Sequence, residues 1–177
     1  MKALYMSLAD VGAAESDDRG RQPEVEFRAF RAEDAAAFRE LNEDWIRKDF
    51  GLEAKDRETL GDPEGHILQR GGHIFMAVVD GKAVGCCALL VVRRGVFEVA
   101  KMTVAESCRG MGIGRRMLAY TIARGRALGA EALYLETNEK LVDAVHLYES
   151  LGFRHLSPEK VVPSPYARAN VFMELRF

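Results

Sequence analysis

The stretch Val99-Ala100-Lys101-Met102-Thr103-Val104-Ala105-Glu106-Ser107-Cys108-Arg109-Gly110-Met111-Gly112-Ile113-Gly114 decides how this chain folds. Its first part closes a β-rich run, Val96 to Val104. Its end opens a segment reaching about Leu128, in which Ile113, Met117, Leu118, Thr121, Ile122 and Leu128 recur at helical spacing. A strand therefore feeds a helix through a loop with glycines at 110, 112 and 114. The start of a helix carries unpaired N–H groups and a positive dipole end, and glycine lets an anion approach the backbone with no Cβ in the way. Such a loop suits a phosphate, with Arg109, and Arg115 or Arg116 beyond it, supplying charge at the rim. Two familiar phosphate loops fit poorly. The dinucleotide pattern G-x-G-x-x-G has its third glycine one residue later, although Glu136 stands about where a ribose-binding acid would fall. A P-loop needs Lys then Ser or Thr where this chain has Arg115-Arg116.

Working outward, His73 to Val79 and Ala83 to Val92 flank Asp80-Gly81, a pair that tolerates the positive φ angles of a tight hairpin. Arg93-Arg94-Gly95 then reverses the chain into Val96 to Val104. Further upstream, Glu24 to Phe30 alternates as a first strand. Asp34 is placed to cap a helix that carries Ala37, Phe38, Leu41, Trp45 and Ile46 on one face and ends near Phe50-Gly51. A weaker helical stretch, about Glu53 to Leu60, stops at the turn Asp62-Pro63-Glu64-Gly65. Downstream, Gly129 is placed to end the long helix. Ala132 to Glu136 reads as a short buried strand, and Leu141 to Ser150 as a helix with Leu141, Val145 and Tyr148 on one face. Phe153 onward and Asn170 to Phe177 read as closing strands. The link from Val104 to Ala132 is long enough for a parallel crossover. The expected fold is thus α/β (α+β), a mixed, mostly antiparallel central sheet flanked by helices.

The chain has 177 residues, 48% of them hydrophobic, which suits one domain with a single core. Residues 1–23, small and charged from Ala9 onward, are expected to form a flexible leader, and 24–177 the folded domain. Lys and Arg total 25 against 27 Asp and Glu, a net charge of −2 that leaves no broad basic field for nucleic acid. No window approaches the roughly 18 apolar residues of a membrane helix. The start turns acidic at Asp10, Glu15, Asp17 and Asp18, unlike a secretory signal. Cys86, Cys87 and Cys108 make neither a C-x-x-C pair nor a disulfide framework, so a cytoplasmic location is expected. His66, His73, His146 and His155 are isolated from other ligand types, and no metal site is expected.

The pattern Arg109-x-x-Gly112-x-Gly114 between strand and helix is followed by Leu135-Glu136-Thr137-Asn138 and then by Ala144-Val145-His146-Leu147-Tyr148-Glu149-Ser150-Leu151-Gly152-Phe153. Together these pieces resemble the GNAT superfamily of acyl-CoA-dependent N-acyltransferases. They cover Val96 to Phe153, and the order of elements extends the likeness from about Glu24 to the C-terminus. The resemblance implies that Arg109, Gly110, Met111, Gly112, Ile113 and Gly114 bind the CoA pyrophosphate. It also implies that backbone groups of Met102, Thr103 and Val104 pair with the pantetheine arm as if it were another strand, and that Asn138 adds a polar contact. Acetyl-CoA is then the expected co-substrate.

Acyl transfer to an amine needs a neutral nucleophile, a stabilised oxyanion and a proton for the departing thiolate. Glu98, eleven residues before Arg109, resembles the glutamate that many family members use as general base on this strand. Tyr148 matches the tyrosine that stands near the sulfur and protonates the thiolate, and a backbone N–H near Met102 is implied for the oxyanion. Each side chain also has a plainer reading: Glu98 on the solvent face of a strand, Tyr148 as a packing aromatic, Asn138 as a helix N-cap. For Cys108 only the helix end could lower the thiol pKa, so no covalent role is expected.

In the resembling family the acceptor enters opposite the CoA. Here that implies Trp45, Phe50, the stretch to His66, and the loop Pro163 to Arg168. Glu40, Glu43, Asp44 and Asp49 either attract a cationic amine or form a solvated helix face. The expected activity is transfer of acetyl from acetyl-CoA to a primary amine of a small or amino-acid-like acceptor, in a monomer or homodimer, with no nucleic-acid or membrane partner. The alternatives are a protein N-terminus or lysine acetyltransferase, a CoA-binding sensor or interaction module without catalysis, and a nucleotide-binding protein.

Overall fold

The computed structural model describes residues 24–161 and 163–177, so the leader expected at 1–23 lies outside the described residues. The strands are β1 (Glu26–Ala29), β2 (His73–Val79), β3 (Lys82–Arg93), β4 (Val96–Val104), β5 (Ala132–Thr137), β6 (Arg154–His155) and β7 (Val171–Arg176). They form one sheet in the order β1-β2-β3-β4-β5-β7-β6. Every pairing is antiparallel except β4 with β5, which the crossover makes parallel. The helices are α1 (Ala35–Asp49), α2 (Ala54–Gly61), α3 (Pro63–His66), α4 (Ile113–Ala127) and α5 (Val142–Ser150). The mixed, mostly antiparallel sheet flanked by helices is the expected fold class. Asp80 and Gly81, at φ 49° and 75°, make the tight β2–β3 turn that their pairing in sequence requires.

Alternation along the strands sends residues to two apolar layers rather than the single core expected. On one face Cys87, Leu89, Leu133 and Leu135 pack with Met117 and Leu118 of α4 and with Phe153. On the other, Met76, Cys86 and Ala88 meet Phe38 and Ile46 of α1 and Leu60 of α2. Asn42 is buried within the α1 stripe, where its amide donates to the Phe38 carbonyl (2.9 Å) and to Cys86 Sγ (3.3 Å). Apolar periodicity alone does not identify it.

Several local expectations change. Asp34 does not cap α1, because its carboxylate is gripped by the Arg28 guanidinium (2.6 and 2.9 Å) and accepts from the Arg31 N–H (2.7 Å). The turn Asp62 to Gly65 opens α3, with Asp62 Oδ1 accepting from the Gly65 N–H at 2.8 Å. Leu128 is 38% exposed, since the chain leaves the helix at Gly129 (φ 80°). β6 is only two residues long, because a 3-10 turn at Pro158–Lys160 follows and proline cannot extend a ladder. Among the described residues no helix is long and apolar enough to cross a membrane.

Candidate active site

The parallel pair at the centre of the sheet is incomplete. β4 and β5 are in register only from Val96 opposite Ala132 to Glu98 opposite Tyr134, although β4 continues to Val104 and β5 to Thr137. A bulge in β4 accounts for the divergence: Ala88 faces Ala100 and Cys86 faces Thr103, so Lys101 and Met102 together oppose Cys87. Lys101 sits at φ 51°, and the bulge bends the strand away from β5. Backbone groups of Val99 to Val104 on that side have no strand partner. They border a cavity of about 920 Å³ that also takes in Thr137, Asn138 and the glycine loop.

The bulge is tied down by charge. The Lys101 ammonium donates to Asp56 Oδ1 (2.8 Å) and to the Tyr166 hydroxyl (3.1 Å). Asp56, 0% exposed, also accepts two bonds from the Arg168 guanidinium (2.7 and 2.9 Å), which reaches Glu53 at 2.9 Å. Burial alone would raise the Asp56 carboxyl, but hydrogen bonds from Arg168 and Lys101 hold it below its ordinary value.

At the open end of the slot, α4 starts from Gly112 in the left-handed region (φ 71°), with no side-chain cap. The first turn closes from the Arg116 N–H to the Gly112 carbonyl at 3.2 Å, so the N–H groups of Ile113, Gly114 and Arg115 have no helical acceptor. Arg109, Gly110, Gly112, Ile113, Gly114 and Arg115 line the cavity, whereas the Met111 side chain is 42% exposed and does not. Of the two rim arginines, Arg115 borders the site and donates to Ser150 Oγ (2.8 Å), while Arg116 lies over the Phe27 ring, 5.3 Å from its centroid. A Cβ at Gly112 would meet no atom within 4 Å, so its cost is backbone strain at positive φ. Gly112→Ala is expected to lose about 1 kcal/mol of stability and to weaken acetyl-CoA binding roughly 5- to 10-fold, equivalent to about 1 kcal/mol. Calorimetry at matched fold content checks both.

Glu98 and Tyr148 both line the cavity, as do Met102, Thr103, Val104 and Asn138. Glu98 is not on a solvent face. Burial first, then the charge of Glu136, push its carboxyl up to about 7 against a partial pull from Lys101. Among the described residues it makes no ion pair, because the Lys101 ammonium is bound to Asp56. Tyr148 also packs, its ring edge-on to Phe153 at 5.9 Å, and burial followed by the nearby Cys87 raises its phenol pKa. Asn138 is not a helix cap, since Leu141 holds that position in α5. Its Oδ1 accepts from the Lys140 N–H (2.9 Å) and its Nδ2 donates to the Arg168 carbonyl (2.5 Å).

On the α1 face of the sheet, Trp45, Asp49, Phe50, Tyr166 and Arg168 border the same cavity. The other acidic residues of α1 do not: Glu43 bridges Arg39 and Arg47 (2.7 Å each), and Glu40 and Asp44 are exposed elsewhere. His66 lines a separate cavity of about 120 Å³. Sequence reasoning misses Tyr134 and does not single out Ser164 within the Pro163 to Arg168 loop; both donate to Glu136, Tyr134 at 3.0 Å. It also misses the Asp56 network, although Lys101 inside an apolar strand is a signal that an acid must come to meet it.

An extended donor with a phosphorylated end fits this slot: an open strand edge for an amide-bearing arm, an N–H cradle at its mouth, and a proton-accepting group at its closed end. That is the layout of an acyl-CoA-dependent acyltransferase. The profile of the acetyltransferase (GNAT) family matches residues 31–153, and the chain belongs to that family. It is 29% identical over 119 residues to the uncharacterized N-acetyltransferase YjgM of Escherichia coli strain K12, an alignment covering 63% of this chain and 71% of that one. It is 35% identical over 104 residues to the IAA acetyltransferase of Azospirillum brasilense, covering 58% and 63%. The fold matches a GNAT-family acetyltransferase of Staphylococcus aureus Mu50 with a TM-score of 0.78 at 20% identity, over 86% of this chain and 99% of that one. It also matches yncA from Salmonella typhimurium, solved with its cofactor acetyl-CoA, with a TM-score of 0.70 at 20% identity, over 86% and 94%. The protein is therefore an acetyl-CoA-dependent acyltransferase, with acetyl-CoA as co-substrate.

Proposed function

We propose that the protein moves the acetyl group of acetyl-CoA onto a primary amine by direct attack, with Glu98 as general base and Tyr148 as general acid. The observation that carries this reading is the unpaired, desolvated Glu98 carboxylate lining the same cavity as Tyr148. A free alkylammonium titrates near ~10.4, so passing its proton to a carboxylate at about 7 costs roughly 4–5 kcal/mol, against about 8 for an ordinary glutamate. Glu98 takes that proton and passes it to solvent, the freed amine nitrogen bonds to the thioester carbonyl carbon, and the C–S bond breaks as that nitrogen gives its second proton to the Glu98 carboxylate, leaving a neutral amide. Tyr148 gives its hydroxyl proton to the departing thiolate and is reprotonated from solvent. Unpaired N–H groups of β4 past the bulge are available to the developing oxyanion. A catalytically silent CoA sensor would be favoured by a Glu98 locked in an ion pair, and Lys101 is committed elsewhere. The three free thiols suit a cytoplasmic enzyme.

Thiol release from acetyl-CoA over a panel of primary amines tests the reading, and bound acetyl-CoA with no release from any amine would sink it. Tyr148→Phe keeps the packing on Phe153 and removes the proton. A thiol near ~8.5 leaves readily, so the expected loss in kcat is about 10-fold, with the acetyl-CoA KM within twofold. Stopped-flow single turnovers check it.

A further inference from the structure

On the acceptor side of the cavity the cations are spoken for and the anions are not. The Lys101 and Arg168 side chains are only 5% and 15% exposed, and Asp56 and Glu53 neutralise them. Neither is open to hold a carboxylate on the acceptor. The remaining cations at the cavity, Arg109, Arg115 and Lys140, belong to the glycine loop, the start of α4 and the turn after β5, on the donor side. The open charges facing the acceptor are negative. Glu98 and Glu136 share one sheet face, because Glu98 is in register with Tyr134 and Glu136 lies two residues further on the same strand. Tyr134 and Ser164 hold the Glu136 carboxylate in place through hydrogen bonds, yet both donors are neutral and leave its charge uncompensated. Asp49, beside Trp45 and Phe50, adds a third carboxylate at the rim and makes no ion pair among the described residues.

Resting on the acetyl-transfer reading above, we infer that the acceptor is a diamine or polyamine: a primary amine with a second cationic nitrogen and no carboxylate. Glu98 receives the reacting amine, and Glu136 holds the second nitrogen. This narrows the small or amino-acid-like acceptor expected from the sequence, because the cations on the proposed acceptor side, Lys101 and Arg168, are already paired with Asp56 and Glu53.

The test compares butane-1,4-diamine and spermidine with butylamine and with alanine and glutamate, by thiol release and by calorimetric titration into the CoA complex. The expected result is a kcat/KM at least tenfold higher for butane-1,4-diamine than for butylamine, no measurable turnover of the amino acids, and the same ranking in binding. Glu136→Gln is expected to bring the diamine-to-monoamine ratio to within twofold. That ratio is insensitive to a general loss of folded enzyme. Equal binding of diamine and monoamine, or preference for an amino acid, overturns the inference and leaves the acetyl-transfer reading intact. Preferential diamine binding without turnover supports the charge assignment while removing the proposed chemistry.

Discussion

Glu98→Gln is expected to lower kcat by about 10²- to 10⁴-fold, the span of a lost general base, while the acetyl-CoA KM stays within about threefold. The wild-type kcat/KM should rise with pH through an ionisation near the value to which burial and Glu136 push this carboxyl, about 7, and the variant should lack that limb. The same group makes a second, opposite prediction for stability. Its pKa is higher in the fold (about 7) than in the unfolded chain (4.5), so its contribution is fully present below pH 4.5 and is lost as pH rises through 7. Glutamine does not ionise. At pH 8 the variant is therefore expected to be more stable than the wild type by about 3 kcal/mol, with the gap falling below about 1 kcal/mol at pH 5. Urea titrations at the two pH values measure it. A variant that is slower but more stable cannot owe its slowness to misfolding, and an unchanged kcat would remove Glu98 from the mechanism.

The strand, loop and helix around Val104 were legible because their signals are local: apolar periodicity on either side, and glycines where φ turns positive. The β2–β3 hairpin was legible for the same reason at Asp80-Gly81. Asp34 misleads because Arg28, six residues earlier, outcompetes the helix N-terminus for its carboxylate. The bulge carries no glycine; Lys101 holds φ 51° because its ammonium is fixed by Asp56, 45 residues away. Asn42 is buried for a similar reason, its amide reaching Cys86 of β3 across the helix–sheet interface. Adjacent residues in the sequence thus bring Arg109, Gly110, Gly112, Ile113 and Gly114 to one cavity, with Met111 the exception because its side chain leaves it. The wall of the cavity around Tyr166 and Arg168 is assembled by long-range polar contacts, such as Arg168 with Asp56 at a separation of 112 residues, and no periodicity encodes those.

Asp56→Asn is expected to destabilise the fold by about 3–5 kcal/mol, the cost of breaking a buried ion pair from one side. Shape is nearly conserved, so the loss is electrostatic. Arg168 keeps Glu53, but Lys101, 8% exposed, loses its carboxylate partner and is left with neutral acceptors, the new amide oxygen and the Tyr166 hydroxyl. In a chain of this length about 2–4 °C of Tm follows each kcal/mol, which gives a drop of roughly 6–20 °C by calorimetry. The Asp56 carboxyl lies below its ordinary value in the fold, so its stabilisation is present above the unfolded pKa of 3.8 and is lost as pH falls through the folded one. The wild-type advantage should therefore shrink in acid. Function should suffer asymmetrically: Tyr166 and Arg168 line the cavity on the side proposed for the acceptor, so the amine KM should rise more than the acetyl-CoA KM. Adding Lys101→Met to the variant removes the stranded ammonium and should recover part of the lost stability. Recovery assigns the cost to the buried charge at the bulge, whereas no recovery assigns it to the packing of α2.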